Sequence, residues 1–286
     1  SGCSIKQEGG IRGERFHRIT VESESGSGSD SDSEVRGARA TESQGRSDTA
    51  DAIEHEWRLS SALVSVGLSV EEFRALVATL DPTEADLETL ASAHPGLIEP
   101  WVADVTDEKF LQRIESLERL DILVNNVGTN KPQPFTEVER ETLDLILNLN
   151  VRSAFLVAQA AARVMVKQGS GSIINMGSQM GHVGAKNRTV YCMTKHAIEG
   201  LTKAMAVELA VLDIRVNSVA PTFIETPLTK PMFENPEFHQ DVISRIPMGH
   251  IGQVDDVANA VLFLASPAAN MVTGDSLKVD GGWTAV

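Results

Sequence analysis

Scarcity is the most telling property of this chain. Its 286 residues hold two cysteines, Cys3 and Cys192, and a single tyrosine, Tyr191. Two cysteines build no disulfide framework and no multi-cysteine zinc site, and such usage fits a reducing cytosol. His182, His196 and His250 lack metal-ligand spacing, so no metal is expected. Basic residues are in deficit: 25 Lys and Arg stand against 40 Asp and Glu, a net charge of −15. That sign disfavours nucleic acid and anionic membrane surfaces as partners. No apolar run reaches the ~18 residues of a membrane span. The first 60 residues also lack the apolar core of a signal peptide. A cytoplasmic location is the expectation.

Two unlike parts make up the chain. Residues 1–60 are a low-complexity acidic segment, and 22–51 are dense in Ser, Gly, Asp and Glu. Such composition buries too little apolar surface to offset chain entropy, so disorder is expected. Within it only Phe16–Val21 reads as a short strand. Residues 61–286 read as one domain.

From about residue 70, strand and helix signals alternate. Strands are expected at Arg74–Thr79, Leu97–Ala103, Ile122–Val124, Ser172–Met176, Arg215–Ala220 and Ser276–Val279. Helices are expected at Pro82–Ala93, Asp107–Ser116, Glu139–Gln168 (bent near Asn148–Asn150), Val190–Leu212 and Val254–Ala265. Alternation of this kind predicts a parallel sheet covered on both faces. Ligands of such sheets sit beyond the carboxyl ends of the strands. Asn125, Ser178 and Pro221 fall on that edge.

The lone tyrosine lies in Tyr191-Cys192-Met193-Thr194-Lys195. On a helix an i, i+4 pair shares one face, so the phenol and the ammonium point the same way. A fixed cation beside a phenol favours the phenolate, which suits Tyr191 to acid–base work near neutral pH. Ser178, thirteen residues earlier, offers a hydroxyl for a substrate oxygen. The set suits moving a proton on or off an alcohol or carbonyl oxygen. Cys192 beside it reads as a small packing residue.

These residues resemble the short-chain dehydrogenase/reductase family over about residues 95–286. Asn125-Asn126-Val127-Gly128 is similar to its Asn-Asn-Ala-Gly segment. Asn150, Ser178, Tyr191 and Lys195 match its catalytic tetrad. Pro221-Thr222-Phe223-Ile224-Glu225-Thr226 resembles its cofactor loop, with Thr222 where glycine is usual. Val279-Asp280-Gly281-Gly282 resembles its C-terminal signature. The resemblance implies an α/β fold with a Rossmann-like doubly wound parallel sheet, and an NAD(P)-dependent enzyme interconverting a secondary alcohol and a ketone. Tyr191 would be the general acid/base, and Lys195 would hold the nicotinamide ribose. Ser178 would polarise the substrate oxygen, and Asn150 would hold a relay water. Asp104 and Val105 would lie at the adenine, and Asn126 and Gly128 would line the cofactor cleft. Pro221, Ile224 and Thr226 would meet the carboxamide and phosphate region. For Asp104 a helix-cap or turn role is the alternative, and for Thr226 a turn role. The substrate would be a small alcohol or carbonyl compound, either a 3-oxoacyl thioester or a sugar acid or polyol. Lys186 and Arg188 could meet an anionic or polyhydroxylated one, and exposed solubilising charge is the favoured alternative for both. A homotetramer or homodimer would form through the helices near 150–168 and 190–212.

One motif of the family is missing. Its first strand leads into Thr-Gly-x-x-x-Gly-x-Gly, whose backbone meets the cofactor pyrophosphate at a helix N-terminus. Neither Gly9–Gly13 nor the Ser/Gly tract at 25–33 has the strand-helix frame that role needs. A shifted reading frame or displaced start for residues before 73 is the expectation, which the other two frames of the coding DNA test. An acidic residue after the second strand favours NAD over NADP; Asp81 lies near that point, and Thr79 competes for the position. The alternative function is a catalytically impaired relative acting as an assembly or binding scaffold.

Overall fold

The computed structural model describes residues 75–78, 92, 101, 103–226 and 229–286. The segment 1–60, with its strand Phe16–Val21, lies outside them. So do the strand Leu97–Ala103 and the helix Pro82–Ala93, apart from Ser92, Trp101 and Ala103.

Five strands form one sheet: β1 Ala75–Ala78, β2 Ile122–Asn125, β3 Gly171–Met176, β4 Ile214–Pro221 and β5 Ser276–Val279. All neighbours pair in parallel, in the order β1-β2-β3-β4-β5. Among the described strands the order follows the chain, and helices cover both faces, as in a doubly wound sheet. They are α1 Glu108–Glu115, α2 Arg140–Leu147, α3 Ser153–Gln168, α4 Thr189–Leu209, α5 Lys230–Phe233, α6 Pro236–Ser244 and α7 Val254–Ala265.

Side-chain alternation along each strand builds two cores. Leu123, Ile173 and Val216 face α1, α3 and α4. Ile122, Val124, Ile174 and Val219 face α7. β2 is buried along its whole length, which explains its unbroken apolar run. Each fully buried Ile or Leu contributes roughly 1.5–3 kcal/mol. The result is a Rossmann-like α/β sheet.

The expected bend near Asn148–Asn150 is a π turn, Asn148–Arg152, inside a continuous helical run. That run, Arg140–Gln168, is 29 residues long and apolar enough by composition to span a membrane. Val157, Ala158, Ala161 and Met165 instead pack it into the first core. Gly169, left-handed at φ 78°, ends it. A second difference lies between β4 and α7, where no helix was expected. Here α5 and α6 form, and α6 starts on an Asn235 cap whose Oδ1 accepts from the Glu237 and Phe238 amides.

Candidate active site

β2, β3 and β4 end side by side. Beyond their carboxyl ends lies a cleft of about 220 Å³, lined by Asn126, Gly128, Met176, Gly177, Ser178, Tyr191, Lys195, Pro221 and Thr222. The sheet thus gathers residues from segments nearly a hundred positions apart.

α4 carries Tyr191 and Lys195 on one face. The Lys195 ammonium lies 5.6 Å from the centre of the Tyr191 ring. Its Nζ donates to the Met176 carbonyl at 2.7 Å. The lysine is buried, so its stem is held by packing while its head reaches the strand end.

Asn150 stands behind this pair, aimed by the π turn. Its Oδ1 accepts from the Thr129 amide at 2.7 Å. Its Nδ2 donates to the Thr129 carbonyl at 2.8 Å and to Thr194 Oγ1 at 3.1 Å. The side chain therefore ties the loop after β2 to α4. Gly128 lies against both side chains. A Cβ would lie 3.4 Å from Asn150 Oδ1 and 3.7 Å from Lys195 Nζ.

Ser178 follows β3 in extended conformation and caps a 3-10 turn, Gln179–Gly181. Its Oγ accepts from the Met180 amide at 3.2 Å and donates to Gln179 Oε1 at 2.7 Å. The hydroxyl hydrogen is thus available to exchange one acceptor for another.

Besides Asn150, four cofactor-binding candidates from the sequence do not line the cleft. Asp104 is exposed, and its Oδ1 accepts from the Thr106 amide and hydroxyl, both at 2.8 Å. The Thr106 amide, then its hydroxyl, holds this carboxyl below its ordinary value. Asp104 thus closes a local turn with Thr106. Val105 packs against the first core. Ile224 pairs with Gly252 and accepts from Thr229 Oγ1 at 2.6 Å. Thr226 closes a turn with Thr229, whose amide donates to Thr226 Oγ1 at 3.1 Å. Thr79 and Asp81 lie outside the described residues.

Met176 and Gly177 were missed in sequence; their place directly before Ser178 at a strand end was the available signal. Thr222 lines the cleft and keeps its Oγ1 buried without a hydrogen-bond partner. Its amide donates to the Val279 carbonyl at 3.0 Å. Asp280 next to it accepts from the Gly282 amide at 3.0 Å and from Thr284 Oγ1 at 2.7 Å. The C-terminal signature therefore braces the loop after β4.

Two features flank the cleft. Arg188 precedes Tyr191 by one helical turn and is half-buried. Burial lowers its guanidinium from the ordinary value, and the Tyr191 and Cys192 side chains oppose that. No ion pair joins it to a described carboxylate. Lys186 is exposed. Behind Thr222, Phe223 packs edge-on against Phe238 and Phe233, with ring centres 5.7 and 6.1 Å away, and lies 6.0 Å from Trp283.

Known proteins are similar to this chain over most of its length. A family model described as Enoyl-(Acyl carrier protein) reductase matches residues 66–284. The L-xylulose reductase of Mesocricetus auratus is 39% identical over 221 residues, covering 77% of this chain and 90% of its own. The 3-oxoacyl-(acyl-carrier-protein) reductase FabG of Thermotoga maritima is 37% identical over 216 residues, covering 73% and 87%. Among solved structures, the gluconate 5-dehydrogenase of Burkholderia cenocepacia, in complex with NADP and tartrate, superposes with a TM-score of 0.72. It is 32% identical, and the match covers 81% of this chain and 91% of that one. The chain belongs to the short-chain dehydrogenase/reductase family and is an oxidoreductase of that family.

Proposed function

We propose that this chain interconverts a ketone and a secondary alcohol on a small sugar acid or ketose, with Tyr191 as the proton donor. The observation that carries it is the convergence of Tyr191, Lys195 and Ser178 on one cleft. The nicotinamide end of a dinucleotide fits there. Gly128 leaves a cradle that a Cβ would fill, and Thr222 offers a buried hydroxyl without a partner. Lys195, with one ammonium hydrogen given to Met176, has two left for the ribose hydroxyls. Asn126, Gly128 and Pro221 would wall the ring. Asp104 and Val105, further out, remain the candidates for the adenine end, and Ile224 and Thr226 for the phosphate side.

When bound, the reduced cofactor supplies a hydride to the carbonyl carbon. Ser178 turns its hydroxyl from Gln179 to the substrate oxygen and holds it. Tyr191 gives its proton to that oxygen as charge develops, so ketone, hydride and proton become the alcohol. Lys195 stabilises the phenolate left behind. Asn150 keeps loop and helix in register and would hold the relay water. The protein chiefly orients and polarises. Tyr191→Phe is the test, with loss of turnover expected.

Cofactor choice turns toward NADP(H). The NAD preference read from Asp81 draws no support, while four of the solved structures hold NADP and a fifth NADPH. Of the two substrate classes, the sugar acid or ketose is favoured over the 3-oxoacyl thioester. L-xylulose reductases are among the relatives, and one solved relative holds tartrate, a dicarboxylate. Arg188, half-buried one turn before Tyr191, suits a substrate carboxylate. Charge-assisted hydrogen bonds are worth roughly 1.5–3 kcal/mol, so Arg188→Met should cut kcat/KM for a keto sugar acid about 10–100-fold. A neutral ketose should change by less than about threefold in parallel steady-state assays. Equal losses on both would refute the assignment.

The acting unit is a homotetramer or homodimer in the cytoplasm. α3 and α4 leave Phe155, Val166, Met193 and Val207 exposed, and Val211 lies just beyond α4; Val207 is 82% exposed and Val211 86%. A second copy would cover this face. Val207→Glu with Val211→Glu should halve the mass measured by light scattering, or lower it further; an unchanged mass places the interface elsewhere.

A further inference from the structure

Glu199 is out of keeping with its surroundings. It lies on α4 one turn beyond Lys195 and is 5% exposed. Its Oε2 accepts from Ser218 Oγ at 2.7 Å. Its Oε1 is buried without a hydrogen-bond partner, and His182 Nε2 stands 3.7 Å away. A half-satisfied buried carboxylate costs more than a well-packed apolar side chain of its volume. Stability alone does not account for it.

The bare oxygen faces the turn that carries Ser178. A Cβ on Gly177 would lie 2.3 Å from Glu199 Oε1. One on Gly181 would lie 3.1 Å from Glu199 Cγ and 3.0 Å from the Lys195 carbonyl. Both glycines therefore lie flush on this helix face, and Ser178 stands between them. From the sheet side, the Gly177 amide donates to the Val219 carbonyl at 2.7 Å. His182 ends the turn and meets Ser276 Oγ through Nε2 at 3.0 Å. Burial holds the His182 imidazole below its ordinary value; Glu199 opposes that, while Lys278, His196 and Lys203 add to it. The contact between Glu199 and the turn is one of close shape, and Ser218 holds the other carboxylate oxygen from the strand side.

We propose that Glu199 is a positioning residue: its carboxylate is the floor on which the turn Gly177–Gly181 rests, and it fixes Ser178 relative to Tyr191 and Lys195. This rests on the reading of Ser178 as the group that holds the substrate oxygen. Successive turns of α4 then carry the proton donor, its cation and the support of the serine.

Glu199→Leu keeps the volume and removes both oxygens, whereas Glu199→Gln keeps the shape and the acceptor for Ser218. In Glu199→Leu, kcat should fall about 10–100-fold, as small misplacements of reacting groups do. The NADPH Kd should stay within about twofold, and Glu199→Gln should recover turnover to within about threefold. Deuterium exchange of the peptide 176–183 should quicken about tenfold in the leucine variant only. Unchanged kcat and exchange in Glu199→Leu overturn the proposal, and so do equal losses in the Leu and Gln variants. Should Glu199→Leu fail to fold, Glu199→Asp withdraws the floor by one methylene. It should show the same direction in both readouts, and wild-type behaviour there overturns the proposal equally. Ser178→Ala, assayed alongside, tests the underlying reading by itself: retained turnover there removes the role of Ser178. The exchange measurement needs no turnover and still decides whether Glu199 supports the turn.

Discussion

Tyr191→Phe should lower turnover by about 10²–10⁴-fold, the usual contribution of a positioned general acid, while the fold and cofactor affinity persist. The phenol is half-exposed where α4 opens into the cleft. Removing one oxygen leaves the ring and its packing in place. Lys195 keeps its bond to the Met176 carbonyl, and Asn150 keeps its bonds to Thr129 and Thr194. A melting curve superimposable on that of the parent, with NADPH oxidation nearly abolished, is the expected pair of results. Turnover within about tenfold of the parent would move the proton donor elsewhere.

NADPH should bind about 100-fold or more weakly than it does to the Burkholderia cenocepacia relative measured side by side. The sequence has no Thr-Gly-x-x-x-Gly-x-Gly anywhere. A pyrophosphate deprived of two charge-assisted hydrogen bonds, each worth roughly 1.5–3 kcal/mol, loses that much. Titration followed by nicotinamide fluorescence gives the affinity. Reduced nicotinamide mononucleotide gives the second arm, because it lacks the adenylate half. If the nicotinamide half supplies most of the binding, the two ligands should differ by less than about tenfold. NADPH affinity equal to that of the relative would mean that residues 1–72 provide the missing donors.

Much of this fold was legible because its signals are local. Val254–Ala265 and Ser276–Val279 were bounded correctly from their periodicity and flanking breakers. β2 and β3 differ from expectation by one residue each, as an apolar run between polar ends allows. α5 and α6 were not expected, although Asn235-Pro236 offered a cap followed by a proline at the first helical position. The site was legible through spacing along one helix and through motif order. What local pattern could not supply was contact across the chain. Nothing near Asn150 names Thr129 or Thr194 as its partners. Nothing near Glu199 tells a buried carboxylate from a solvated one, since a glutamate within a helix reads as surface. The pairing of β1 with β2 is likewise a tertiary choice.

The solitary phenol has an experimental consequence. Most proteins of this size carry several tyrosines, whose ultraviolet absorption changes on ionisation overlap. Here the chain has one, and it stands at the mouth of the cleft. An optical pH titration of the whole protein is therefore a titration of a single oxygen atom. It needs neither label nor substitution, and repeating it with cofactor or substrate added reads directly how each ligand changes the proton's hold on Tyr191.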